Sequence, residues 1–140
     1  MDPDEEVLRA HFDASNRGDY ARAGADYDEH VVLVGSFGGP ESEPRYGWRE
    51  VNRWFADWMA TFAGGVRFDE LEIERGRNAL AATARHTARG RESGAEIATQ
   101  QAWAYWFRKG KIIRVEIYSS IAEARAAAGV EPDFGAEPSS

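Results

Sequence analysis

Three histidines and no cysteine bound the chemistry open to this chain. Without cysteine there is no disulfide, no thiolate zinc site and no sulfur nucleophile. His11, His30 and His86 are then the side chains able to exchange a proton near neutral pH. No two of them stand at a metal-ligand spacing and no carboxylate completes a site with them, so no metal is expected. Gly38-Gly39 and Gly64-Gly65 lack the lysine and the strand-to-helix setting of a phosphate loop. His86 is the strongest acid/base candidate. It lies in the run Ala79–Arg89 and shares a face with Leu80, Ala82 and Ala84. Burial there would lower its pKa and keep the imidazole a neutral base. The competing reading is a hydrogen-bonded structural histidine near a strand end. His11, on a helix seam, and His30, just before a strand, read as structural.

The elements that position these groups follow from periodicity and punctuation. Asp2-Pro3-Asp4-Glu5 reads as a helix start, with Asp2 as cap, Pro3 in the first turn and Glu5 closing a capping box. Val7, Leu8, His11, Phe12 and Ser15 then share one face. Gly18 ends this helix, and Asp19 caps a second that runs from Tyr20 to about Asp26. Val31–Phe37 is β-branched and apolar, a buried strand, and 38–44 reads as a loop. The spacing predicts a long helix from about Gly47 to Phe62. Its Val51, Trp54, Phe55, Trp58, Met59 and Phe62 form one apolar stripe, stopped by Gly64-Gly65. Four strands follow: Val66–Glu74 with a bulge near Glu70, Ala79–Arg89, Ala95–Phe107 and Lys111–Tyr118. Ser119 or Ser120 caps a last helix, Ala122–Ala128, ended by Gly129. Residues 1–130 make one domain, and 131–140 read as a frayed polar tail. Helices, a strand, a long helix and a run of antiparallel strands make an α+β fold, the helices lying in the concave face of a curved sheet.

The last hairpin fixes which face is inside. Arg108-Lys109-Gly110 reads as a three-residue loop with a left-handed glycine. That sets Tyr105 against Ile113, Trp103 against Val115 and Gln101 against Ile117. The apolar partners mark this face as inner. A two-residue turn would instead bring Arg114, Glu116 and Tyr118 inside. The preceding hairpin sets Leu80, Ala82, Ala84 and His86 beside Trp103, Gln101, Thr99 and Ile97. Ala82 and Ala84 leave room there, and Tyr27, Trp54 and Trp58 wall it from the helical side. The interior reads as an apolar pocket in which Thr99, Gln101 and Tyr105 supply polar contacts, next to the reading that these aromatics fill a solid core. The outer face carries Ala102, Ala104, Trp106 and Tyr118, a surface suited to a homodimer.

Charge and hydropathy narrow the partners. Seventeen Lys and Arg against 24 Asp and Glu give a net charge of -7, which a phosphate backbone repels, so nucleic acid is not expected. The clusters Arg85–Arg91 and Arg108–Arg114 read as solvated faces. The acidic start is not a signal peptide and no apolar run approaches a membrane span, so a cytoplasmic location and no membrane partner are expected.

Several stretches carry a resemblance that covers residues 5–130. They are Asn16-Arg17-Gly18-Asp19, Tyr27-Asp28-Glu29-His30-Val31, Gly47 opening the Trp-rich helix, Arg89-Gly90-Arg91-Glu92-Ser93-Gly94, Arg108-Lys109-Gly110-Lys111-Ile112, and Tyr118 to Ala124. In this order and spacing the chain resembles the nuclear transport factor 2-like superfamily, and within it the SnoaL-like group. The resemblance implies a cone-shaped α+β fold and a dimer. It leaves open isomerase, epoxide hydrolase, cyclase, dehydratase and non-catalytic roles. The catalytic carboxylates of two such mechanisms do not carry over. Leu33 stands where ketosteroid isomerases place their base. Leu80, Ala82 and Ile117 stand where the limonene epoxide hydrolase-like members place Arg and two Asp. Two readings remain. One is a cofactor-independent cyclase, isomerase or hydratase, with His86 as acid/base and Gln101 and Tyr105 orienting a small apolar substrate. The other is a non-catalytic ligand-binding or dimeric accessory module.

Overall fold

A computed structural model describes residues 2–35 and 43–131. Most of the loop expected over 38–44, the end of the first strand and the tail beyond 131 lie outside the described residues. Helix α1 spans Pro3–Asn16, and its cap is Asp2, whose carboxylate accepts the Asp4 N–H at 2.9 Å. Glu5 closes no capping box, because Arg9 one turn on takes its carboxylate at 3.0 Å. Asp19 caps the short α2, Tyr20–Gly24. Strand β1 runs Tyr27–Gly35 and starts earlier than its β-branched run suggests. A two-residue β2, Arg45–Tyr46, lies antiparallel to it.

The Trp-rich helix α3 spans Trp48–Ala60, and Gly47 precedes it at φ 88°. Gly64-Gly65 do not stop it. The helix closes at Thr61, whose hydroxyl donates to the Trp58 carbonyl at 2.6 Å, and β3 already begins at Phe62 and runs to Arg75. Both glycines sit inside β3 at positive φ, 77° and 81°, where any other residue would be strained. The bulge expected near Glu70 is present. Glu70 has φ 56°, and the pairing of β3 with β4 (Leu80–Gly90) shifts between Asp69 and Glu72.

Strands β5 (Glu96–Arg108) and β6 (Lys111–Tyr118) complete a curved, open six-stranded sheet of order β2-β1-β6-β5-β4-β3. Among the described residues only the β1–β6 pair is parallel. The β5–β6 register differs from the expectation in an instructive way. Arg108 pairs with Lys111, so the turn has two residues, Lys109 and Gly110, at φ 52° and 76°. Both need positive φ, the signature of a tight hairpin turn. That turn alone would have flipped the faces. Ile113 is an extra residue between the pairs Phe107–Ile112 and Trp106–Arg114, and the bulge restores parity. Trp103 therefore faces Ile117 and Tyr105 faces Val115, all four buried inside. On β4, Ala82 pairs with Trp103, Ala84 with Gln101 and His86 with Thr99. This is two residues from the expected pairing. A shift of two keeps each side chain on its face.

Leu8, Phe12, Val31, Leu33, Val51 and Phe68 close over this inner face to make the core. On the outer face, α4 (Ile121–Ala128) seats on Ala79, Ala81 and Ala104. The small residues expected to meet a second copy are thus partly covered by the chain's own last helix. Its C-terminus is latched to the β3–β4 turn. The N–H groups of Asn78 and Ala79 donate to the Ala128 carbonyl at 2.8 and 3.1 Å, and a Cβ on Gly76 would stand 2.2 Å from that oxygen. The outer rim keeps Trp106, on which Arg114 stacks at 5.9 Å.

Candidate active site

Between the helices and the inner sheet face lies a cavity of about 810 Å³. Helix α1 presents His11 and Phe12 to it, β1 opens into it with Tyr27, α3 adds Phe55 and Met59, and the sheet supplies Phe68, Trp103 and Tyr105. The spacing that put His11 on the apolar seam of α1 is what brings it here. Asp26 ends the turn after α2, one residue before Tyr27.

These residues form a proton-handling chain. His11 Nδ1 lies 2.9 Å from the Ala23 carbonyl and 3.2 Å from Asp26 Oδ2. Both are acceptors, so Nδ1 carries a proton, and a ring holding that one proton presents its Nε2 lone pair. Nε2 faces the Tyr27 hydroxyl at 3.5 Å. Arg22 holds the other oxygen of Asp26 at 2.8 Å. Burial alone would raise the Asp26 carboxyl, but the hydrogen bonds from His11 and Arg22 outweigh it and hold it below the usual carboxylate range. Asp26 is thus a buried anion that orients the imidazole. The two phenols go the other way. Burial, with the Asp26 charge adding to it, pushes Tyr27 above its ordinary value. Burial also raises Tyr105, with the nearby Tyr27 adding to it. Both therefore stay protonated donors facing the cavity. Its lining contains no Lys or Arg among the described residues, and Glu29 is its one acidic side chain.

The sequence model of the SnoaL-like domain matches residues 8–115. The chain belongs to the SnoaL-like family. No protein of curated function matches it in sequence. Solved structures share the fold. A candidate polyketide cyclase from Xanthomonas campestris aligns at TM-score 0.72 and 15% identity, over 91% of this chain and 97% of its own. A nuclear transport factor 2-like protein from Burkholderia thailandensis aligns at 0.71 and 20%, over 94% and 100%. A protein of ketosteroid isomerase-like fold from Catenulispora acidiphila, in complex with trimethylamine, aligns at 0.70 and 16%, over 90% and 94%.

This SnoaL-like domain divides the expected site residues among three places. Tyr27, Trp103 and Tyr105 line the larger cavity. Trp54, Trp58 and Gln101 line a second cavity of about 430 Å³, which shares Trp103 with the first. His86 and Thr99 line neither. His86 is 4% exposed and stacks on Trp58 at 5.2 Å, with Phe62 edge-on to it and Phe68 tilted by 33°. Its Nδ1 meets the Thr99 hydroxyl at 3.2 Å, while Nε2 is buried without a partner. His11, which lines the larger cavity, and Asp26, which holds its Nδ1 from behind, are not among the site residues expected from sequence. The available signal was an Asp directly before the Tyr that opens the first strand.

Burial lowers the His86 pKa from its ordinary 6.5, and this has a measurable consequence. Above 6.5 the ring is neutral in both the folded and unfolded chain, and it costs nothing. Below 6.5 the unfolded chain takes up a proton that the folded chain refuses, so stability falls with pH until the lowered folded value is passed. The slope from this one group is at most about 1.4 kcal/mol per pH unit. Melting temperatures of the wild type measured from pH 7 to 5 should therefore decline. Those of His86→Phe, which keeps a ring against Trp58, should decline less. Equal slopes would show that His86 is protonated in place.

Proposed function

We propose that this SnoaL-like domain binds a small, largely apolar molecule in the larger cavity and moves a proton on it without a cofactor, as an isomerase or cyclase does. The observation that carries the reading is the chain Asp26–His11–Tyr27 ending at an apolar cavity. A carbonyl ligand placed there would accept hydrogen bonds from the Tyr27 and Tyr105 phenols. His11 Nε2 would take a proton from the carbon beside the carbonyl; the C–H electron pair becomes the C=C bond of an enolate and the carbonyl π pair moves to the oxygen, held by the phenols. The Asp26 carboxylate stabilises the imidazolium so formed. Return of the proton to another atom completes an isomerisation with no net change of composition. His86, the acid/base candidate from sequence, stands outside the cavity wall and serves as the control position.

The structural relatives support a small-molecule role, since one is a candidate cyclase and another holds trimethylamine. The second reading is a binding module without turnover, and the apolar lining alone would suffice for it. In either reading a homodimer would form on the part of the outer sheet face that α4 leaves open.

Titration with 2-tetralone, an apolar ketone with acidic C–H bonds, tests both halves. Saturable quenching of tryptophan fluorescence is expected, and Tyr105→Phe should weaken it roughly threefold to tenfold, the loss of one hydrogen bond. Loss of C–H signal by deuterium exchange in D₂O should run faster with the protein than with buffer. Saturable binding without accelerated exchange would leave the module reading. Absence of binding across a panel of apolar ketones would refute the ligand site itself.

A further inference from the structure

The second cavity has its own chemistry, independent of the His11 chain. Trp54 and Trp58 stand one turn apart on α3 with rings within 13° of parallel and centroids 6.3 Å apart. Both are only half-buried and both line this cavity, with Phe68, Trp103 and Ile117 opposite. His86 lies against one face of Trp58, so the paired indoles offer the cavity their remaining faces and edges, a surface that favours a flat aromatic ring.

The polar atoms set the rest. Asp57 is the one ionisable side chain lining the cavity among the described residues, and no Lys or Arg does so. The Thr61 hydroxyl already spends its proton on the Trp58 carbonyl at 2.6 Å, so it offers the cavity an acceptor. Asp57 is an acceptor as well, and Gln101 on β5 can both donate and accept. These groups favour a ligand that brings hydrogen-bond donors, and the Asp57 carboxylate, though exposed, disfavours negative charge.

We infer that this cavity is a second binding site, for a planar aromatic compound that is neutral or cationic and carries a hydroxyl or amino donor, separate from the ligand at the His11 cavity. Phe55, Phe68 and Trp103 line both cavities and form the partition between them.

Three naphthalenes of the same ring size separate the terms by calorimetric titration: 2-naphthol, 2-methoxynaphthalene without the donor, and 2-naphthoate with a negative charge. Binding should rank in that order. The methoxy compound should be roughly fivefold weaker than the naphthol for one lost hydrogen bond, and the naphthoate roughly tenfold weaker or more for the charge facing Asp57. Trp54→Leu and Gln101→Leu should each weaken 2-naphthol at least fivefold with melting temperatures near wild type. Asp57→Asn should narrow the gap between naphthol and naphthoate. Tyr105→Phe, in the other cavity, should leave naphthol binding unchanged. If 2-naphthol fails to bind, binds no better than 2-naphthoate, or binds Trp54→Leu and Gln101→Leu as it binds the wild type, the inference is wrong. Weakening by Tyr105→Phe would move the ligand to the His11 cavity and also overturn it. Because Tyr105→Phe should weaken 2-tetralone and spare 2-naphthol, the two proposals stand or fall separately.

Discussion

Trp103→Ala should melt about 10–20 °C below the wild type. Trp103 is 4% exposed and sits at the middle of the inner sheet face, with Phe12 at 5.2 Å and Phe68 at 5.5 Å between ring centroids. Its neighbour across β4 is Ala82, too small to swing into the gap, and its neighbour across β6 is Ile117. Cutting a buried tryptophan to alanine costs about 3–5 kcal/mol, the lost burial plus the cavity left behind. A domain of this size loses roughly 3–4 °C per kcal/mol. The void cannot collapse easily here, because it lies between two existing cavities. Removal of the indole would join them, so the discrimination between 2-naphthol and 2-naphthoate should shrink along with stability. Trp103→Phe keeps a ring in the partition and should lose less than half as much. Thermal unfolding by circular dichroism reads the first effect and calorimetry the second. A Trp103→Ala melting point within about 3 °C of wild type would mean that the indole is not a structural wall.

Much of the fold was legible because its signals are local. Asp2, Asp19 and Ser120 cap the helices that follow them, and Gly18 and Gly129 adopt the left-handed backbone where α1 and α4 end. What misread was either a double signal or a distant one. Gly64-Gly65 looks like a helix stop, yet the helix had already ended through the Thr61 side chain, and the glycines serve the strand. The β5–β6 turn is one residue shorter than the Arg108-Lys109-Gly110 pattern predicts, and the bulge at Ile113 leaves no mark in the sequence. The two errors cancelled because faces depend only on parity. The apolar alternation of Trp103, Tyr105, Val115 and Ile117 therefore identified the inner face even though each pairing was off.

The site was less legible for a different reason. Tyr27, Trp103 and Tyr105 are large and sit on the inner face, so pattern alone sends them inward. Nothing in a linear pattern joins His11 to Asp26. They meet because α1 and α2 fold back through Gly18, and Ala23 and Asp26 then approach the imidazole together. His86 had the right face and the wrong depth. The β4–β5 hairpin runs past the cavity, so Thr99 is exposed while His86 is sealed under Trp58.

If the His11 chain moves protons, His11→Gln should lower turnover of a bound carbonyl substrate by about a hundredfold to ten-thousandfold, the usual worth of a positioned acid/base group. Glutamine still offers polar atoms near Tyr27 and Asp26 but cannot take a proton from the ligand carbon and return it. Ligand affinity should change little, because the phenols and the aromatic walls do the holding. The loss should therefore fall on kcat rather than KM. Asp26→Asn should act in the same direction with a smaller loss, since Ala23 still receives the Nδ1 proton at 2.9 Å. It should also destabilise the fold by about 1–3 kcal/mol, a charged hydrogen-bond network cut at its centre. The lowered Asp26 pKa sets where that stability resides. It is fully present above the ordinary value near 3.8 and is lost as pH falls through the lowered folded value, so the two proteins should converge in acid. His86→Phe, outside the cavity, should keep wild-type kcat. Turnover that survives His11→Gln with its pH profile intact, or that disappears in His86→Phe instead, would transfer the proton chemistry from helix α1 to the far end of the sheet.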